Sequence, residues 1–251
     1  MKPRAIMVSV DYSDLLSITL PYNRHHFDQV CVVTSLADFE SVSAVIQGQH
    51  VTVMATDLFY ADGADFNKWR ALEWALDIYG RHGLLAIMDA DVLWPKEIPA
   101  MEYEPGKLYS PLRHMLTDLQ QPLPPESEWS RYPIHRNVAE WAGYTQIFYA
   151  DDPHLGPTPW HQIDWRHAGG ADSYFQMKWP VDCKVRTRWN VLHLGTAGAN
   201  WCGRATPYLD GTLPAGAGSR SAEAFRYRAN RPRGVPVDVR HAHEKLRLAP
   251  S

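Results

Sequence analysis

Three near-continuous apolar runs constrain this chain most: Val30–Thr34 (VCVVT), Val51–Ala55 (VTVMA) and residues 84–88 (LLAIM). Runs this short, without polar alternation, suit strands that are covered on both faces, as in a parallel sheet. Residues 5–10 read as a first strand of the same kind. The intervening segments 14–27, 37–47 and 66–79 supply the crossovers. The last is the clearest helix, because Trp69, Leu72, Leu76 and Tyr79 recur at three- and four-residue steps. Asp65 stands before it as an N-cap and Gly80 after it as a stop. Strands alternating with helices predict an α/β, Rossmann-like fold, with a central, mostly parallel sheet flanked by helices.

After Asp91 the pattern changes. Prolines become frequent, and residues 113–141 and 151–170 read as long irregular stretches, the first with one helix. Thr145–Tyr149 and residues 190–194 read as further strands. Long loops in a compact domain are commonly lids or binding surfaces, and Trp129, Trp141, Trp160 and Trp165 lie in these. The expected organisation is one domain over residues 1–204, with a donor-binding half to about residue 95 and an acceptor half from 96 to 204. Residues 205–251 form a basic extension. From Arg220 onward there are eight Lys/Arg against three acids, so the tail is near +5 and the remainder near −8. Such a tail either touches the phosphates of an acceptor or packs as a solvated arm on the acidic body.

Three cysteines, Cys31, Cys183 and Cys202, are an odd number without a CxxC spacing. That argues against a disulfide framework or a zinc site and for a reducing compartment. The N-terminal apolar run is too short for a signal peptide, and no run approaches the ~20 apolar residues of a membrane span. A soluble, cytoplasmic protein is expected.

The chemistry concentrates at Asp89-Ala90-Asp91, at the C-terminal end of the most hydrophobic run. Ligands of open α/β sheets bind at that end of the strands. In extended backbone, residues i and i+2 face the same side, so two carboxylates can converge on one hard cation, Mg²⁺ or Mn²⁺. His193, in the apolar run before Gly195, is either a third ligand or a hydrogen-bonded core histidine. The loop from Gly195 to Arg204, with Asn200 and Trp201, has exposed amides that can close over a phosphate. Asn67 and Lys68 open a helix whose N-terminus favours an anion. Asp172 follows Gly169-Gly170 and is either a general base toward an acceptor hydroxyl or an N-cap.

These residues also carry a resemblance. Val10-Asp11-Tyr12-Ser13-Asp14, Thr19-Leu20-Pro21-Tyr22-Asn23, Thr56-Asp57-Leu58-Phe59-Tyr60, Phe66-Asn67-Lys68, the run into Asp91, His193-Leu194-Gly195 and Asn200-Trp201-Cys202-Gly203-Arg204 follow in an order that resembles a bacterial and phage group of GT-A glycosyltransferases. The resemblance covers about residues 5–204. It implies a GT-A fold, a nucleotide-sugar donor such as a UDP-sugar, and a divalent cation held by Asp89, Asp91 and His193. Val10, Asp11, Thr34, Asp57 and Lys68 match positions that meet base, ribose or diphosphate. Asp172 is similar to the acceptor-side acid of inverting members. One departure is Trp69, where similar sequences carry glycine, which limits how closely the Lys68 backbone can approach a phosphate.

The implied reaction moves a sugar to an acceptor hydroxyl, either a glycan or small molecule or, because the group includes phage members, a 5-hydroxymethylpyrimidine of phage DNA. A nucleotidyltransferase would carry a Gly-rich basic loop after the first strand, where Asp11-Tyr12-Ser13-Asp14 stands. A catalytically silent nucleotide-sugar-binding module is the third reading, against which the intact Asp89, Asp91 and His193 set argues. No Walker loop, GxGxxG, HExxH or GxSxG is present.

Overall fold

The computed structural model describes residues 1–46, 51–119, 122–134, 141, 143–196 and 199–229. Eight strands form one curled sheet in the order β3-β2-β1-β4-β7-β6-β8-β5. In chain order they are β1 (Arg4–Val8), β2 (Val30–Thr34), β3 (Val51–Ala55), β4 (Leu84–Asp89), β5 (Val92–Leu93), β6 (Leu108–Leu116), β7 (Thr145–Tyr149) and β8 (Lys184–Leu194). β3, β2, β1 and β4 run parallel. β7 runs antiparallel between β4 and β6, β8 parallel to β6, and β5 antiparallel to β8. This is the expected Rossmann-like α/β sheet, with a mixed half added.

Three helices make the crossovers: α1 (Ser13–Asn23), α2 (Phe39–Val45) and α3 (Lys68–Tyr79). The apolar runs of β2 and β4 are explained by burial on both faces, whereas β3, at the sheet edge, is only half-buried. Ile6, Cys31, Val33, Leu85 and Ile87 pack with Trp69, Leu72 and Leu76 of α3. Ala5, Met7, Val30, Val32, Ala86 and Met88 pack on the other face with Leu16 and Leu20 of α1 and Val42 of α2. Two further helices follow, the short α4 (Ala171–Gln176) and the longer α5 (Ala217–Ala229).

Two features differ from the reading of the sequence. First, α3 begins at Lys68, and its N-cap is Asn67 rather than Asp65. The Asn67 Oδ1 accepts the Arg70 N–H at 3.1 Å while its Nδ2 donates to the Ile163 carbonyl at 2.7 Å. Second, β6 runs through the start of the stretch read as irregular. It carries Pro111 at a bulge, between Ser110 and Leu112, where no ladder donor is needed. The segment read as a basic extension is hydrogen-bonded back to the preceding residues. The Tyr208 hydroxyl donates to Asp11 Oδ1 at 2.6 Å and Arg220 donates to the Arg204 carbonyl at 3.1 Å. The tail cations Arg231, Arg233, Arg240, Lys245 and Arg247 lie outside the described residues. Among the described residues no helix is long and apolar enough to cross a membrane.

A 3-10 turn, Arg24–His26, leads from α1 toward β2. It buries His26, whose Nε2–H donates to the Pro95 carbonyl at 2.7 Å. Burial, aided by the neighbouring His25, lowers its pKa to about 4. Below about pH 6.5 the unfolded chain takes up a proton that the native chain refuses. This residue therefore leaves stability unaffected above that pH. It removes up to about 2 kcal/mol by pH 5, with the loss levelling off below pH 4. Urea titrations at pH 7.5 and pH 5 check this: His26→Gln should show a smaller acid loss than the parent, and an equal loss would refute the assignment.

Candidate active site

The acidic pair lies where β4 ends. Asp89 is its last residue, and Asp91 sits in the tight turn into β5. The turn is held from below by α1. Thr19 Oγ1 donates to the Ala90 carbonyl at 2.6 Å, and the Asn23 side chain donates to the Val92 carbonyl at 2.6 Å and accepts the Trp94 N–H at 2.8 Å. All three partners are backbone groups, so the buried amide and hydroxyl fix the path of the chain on either side of Asp91. From the other side β5 pairs with β8, placing Val92 opposite His193, and the Leu194 N–H donates to the Asp91 carbonyl at 2.8 Å. Residues 89, 91 and 193 thereby meet, and their ligand atoms all lie within 4.8 Å of one another.

These residues fit a hard divalent cation. Two atoms bound to one ion at about 2.1 Å are at most about 4.2 Å apart, so small rotamer shifts close the set. Asp91 is 6% exposed, its Oδ1 accepts no hydrogen bond, and it lies 3.7 Å from His193 Nε2. An orphaned buried carboxylate oxygen is costly unless something cationic meets it. Burial raises the Asp91 pKa to about 6 against the opposing pull of Lys68. Burial also raises Asp89, with Lys68 opposing and Asp91 adding repulsion. Lys68 Nζ, itself buried, pairs with Asp89 Oδ1 at 2.6 Å.

Trp69 does not obstruct this corner. It is fully buried, stacks on His161 with 4.8 Å between ring centroids, and donates its indole N–H to the Ala168 carbonyl at 2.9 Å. Lys68 Nζ lies 4.5 Å over its ring, a cation–π contact that holds the ammonium at the end of β4. His161 is in turn fixed by Glu73, which accepts its Nδ1–H and backbone N–H and an Arg81 N–H. Burial alone would raise Glu73, but the His161 hydrogen bond and Arg81 hold it below the usual carboxylate range.

Beyond the ends of β1, β2 and β3 a cavity of about 560 Å³ opens, large enough for a nucleoside. Val10, Asp11 and Asp57 line it, together with Ser35, Asp38 and Arg220. Thr34 is fully buried beneath it. Asp11 takes a left-handed conformation, φ +61°, and its N–H donates to Asp38 Oδ2 at 2.9 Å. Tyr12 links cavity and triad. Arg204 of the cavity wall lies over its ring, and burial followed by the Asp91 charge pushes its hydroxyl well up.

The other sequence candidates are placed as follows. Ala90 is buried, with its carbonyl taken by Thr19. Gly195 has φ +108°, and a Cβ there would come within 2.8 Å of Thr206 Oγ1. Asn200 Oδ1 accepts the Ala205 and Thr206 N–H groups at 2.8 and 3.0 Å. Trp201 stacks on His167 and covers Gly169. These three residues shape the loop after β8 around itself and the 165–170 segment. Asp172, in the first turn of α4, accepts the Gly143 N–H at 2.7 Å and the Ser173 N–H at 2.8 Å, and the N-cap position belongs to Gly170. Of the four loop tryptophans, Trp129 and Trp160 are core residues, whereas Trp141 and Trp165 are partly exposed.

No protein-family model matches the sequence, and no curated protein matches it. Among solved structures, one similar chain is the inositol-1-phosphate CTP transferase from T. maritima. It has a TM-score of 0.48 and 10% identity, over 89% of this chain and 96% of that one.

Proposed function

We propose that this chain is a metal-dependent glycosyltransferase that moves a sugar from a nucleotide-sugar donor, such as a UDP-sugar, to an acceptor hydroxyl. The observation that carries the reading is the Asp89, Asp91 and His193 set, with an unpartnered buried oxygen on Asp91, beside a nucleoside-sized cavity. Asp89, Asp91 and His193 would hold Mn²⁺ or Mg²⁺, which supplies charge stabilisation to the departing diphosphate. The cavity takes the nucleoside, with Asp11 and Asp57 on its walls. Lys68 sits where the diphosphate must lie and adds a preorganised cation there. Asp172, half-buried and held in one orientation by two backbone N–H groups, accepts a hydrogen bond from the acceptor hydroxyl. In an inverting reaction it takes that proton as the oxygen attacks the anomeric carbon and the phosphate oxygen leaves with the bonding pair.

The loop after β1 argues against nucleotidyl transfer. It presents Asp11 and Asp14, and the adjacent Arg204 spends its donors on Asp14 and on backbone carbonyls. A triphosphate would meet carboxylates there. The partly exposed Trp141 and Trp165 suit stacking on an acceptor sugar or base, a modified DNA base included.

The test is a thermal-shift panel of nucleotide sugars with and without Mn²⁺. A matching donor in excess stabilises by about 2–4 kcal/mol, and the shift should require the metal. Lys68→Met should weaken binding of that donor about 10- to 100-fold, as expected for one lost charge-assisted contact. If no nucleotide sugar shifts the melting temperature at any metal concentration, the reading fails.

A further inference from the structure

Arg113, on β6, forms no ion pair and no side-chain hydrogen bond among the described residues, and its Nε is buried without a partner. The nearby Asp91 carboxylate feels its charge but does not pair with it. Its contact is with Tyr144, whose ring centroid lies 4.4 Å from the guanidinium carbon. A half-buried guanidinium with unused donors is costly to keep unless a ligand supplies the anion.

Its position says which part of a ligand that is. Arg113 stands opposite Val191, and Met115, two residues on, opposite His193. Residues opposite one another in a sheet share a face, so Arg113 projects on the His193 side, about 7 Å back along the strand. Tyr144, under Arg113, accepts the Asp89 N–H at its carbonyl. Arg113 therefore flanks the triad on the side away from the cavity. The cavity lies over β1, β2 and β3, the acidic pair at the end of β4, and β7 and β6 come next in the sheet. A donor laid with its nucleoside in the cavity and its diphosphate at the triad brings its sugar toward Arg113. The diphosphate already has Lys68 on the opposite flank.

Resting on the glycosyltransferase reading, we propose that Arg113 selects the transferred sugar by pairing with a carboxylate on it, so that the donor is a nucleoside diphosphate uronic acid. The planar fork of a guanidinium matches a carboxylate in a way a lysine does not. Tyr144 presents its ring to one face of the guanidinium and fixes its plane.

The experiment measures binding by calorimetry in the presence of Mn²⁺. The probes are UDP, UDP-glucose and UDP-glucuronate, and GDP, GDP-mannose and GDP-mannuronate. In the parent protein the uronate should bind about 10- to 100-fold more tightly than its neutral partner. Arg113→Gln should erase that difference while leaving the nucleoside diphosphate within about twofold, and Arg113→Lys should restore part of it. Equal binding of uronate and neutral sugar by the parent overturns the proposal, and this arm needs no variant to fold. A loss for the bare diphosphate as large as for the uronate also overturns it, placing Arg113 on the phosphates. If none of the six probes binds, the donor-site reading itself falls, and this proposal with it.

Discussion

Asp91→Asn is expected to make the metal-free protein more stable while removing its activity. In the parent, the carboxylate is 6% exposed and its Oδ1 accepts no hydrogen bond, so the fold carries a buried charge that only partly benefits from Lys68. An isosteric amide keeps the turn between β4 and β5, because that turn is held by backbone bonds to Thr19, Asn23 and Leu194 rather than by the carboxylate. Removing the charge should raise stability at neutral pH by about 1–3 kcal/mol, or roughly 2–12 °C in melting temperature for a chain of this size. On the proposed glycosyltransferase reading, the same change removes one of the two anionic members of the Asp89, Asp91 and His193 set. The metal-dependent stabilisation by donor should vanish and turnover should fall by a factor of about 1,000 or more. The two signs together make the test specific. A destabilised variant would mean that Asp91 is structural, and a variant that keeps metal-dependent turnover would remove it from the site. This opposition between stability and function is what a site residue held in an unfavourable state produces.

How much of this was legible in the sequence varied with how local the information was. β2, β3 and β7 coincide with segments read as strands; β2 is covered on both faces and needs no alternation, whereas β3 lies half-buried at the sheet edge. Asp89 and Asp91 are two residues apart at the end of an apolar run, so their proximity is legible in the sequence, although Asp91 lies in the turn after β4 rather than in extended strand. His193 is distant in sequence and reaches them only through the β5–β8 pairing, which a two-residue strand does not announce. β6 was hidden by Pro111, Arg113 and His114. A proline at a bulge costs the ladder nothing, and the two charged or titratable residues face the site and a buried polar contact rather than solvent. Thr19 and Asn23 read as ordinary polar positions of α1, and only the packed structure shows them gripping the turn between β4 and β5. Asp65 and Asn67 both satisfy the N-cap preference. Asn67 prevails because its amide also secures the Ile163 carbonyl, a contact 96 residues away in the chain.

The second large effect concerns Arg204, the residue that joins the C-terminal loop to the first crossover. Its side chain is 1% exposed and uses all of its donors. Nε donates to the Thr206 carbonyl at 2.9 Å, Nη1 to the Asp11 carbonyl at 2.6 Å and to Asp14 Oδ1, and Nη2 to Asp14 Oδ2 at 2.8 Å and the Pro207 carbonyl at 2.7 Å. Tyr12 and Tyr208 cover its two faces, with centroids at 4.7 and 4.3 Å. Among the described residues Asp14 is thus the carboxylate ion-paired with a charge that has no access to water. Asp14→Ala should cost about 3–5 kcal/mol, because it leaves a buried guanidinium unpaired, which corresponds to roughly 6–20 °C in melting temperature. Arg204→Met should cost less than that, since it removes the charge and Asp14 keeps contact with solvent at 22% side-chain exposure. The double variant should be more stable than the sum of the two losses predicts, by about 1–3 kcal/mol of coupling. Urea or thermal melts of the four proteins measure that cycle. Additive losses, or an Asp14→Ala variant that melts with the parent, would show that the pair does not hold the loop. Because Arg204 also walls the cavity and stacks on Tyr12 beside Asp91, a confirmed cycle predicts that loosening this joint weakens donor binding without touching a metal ligand.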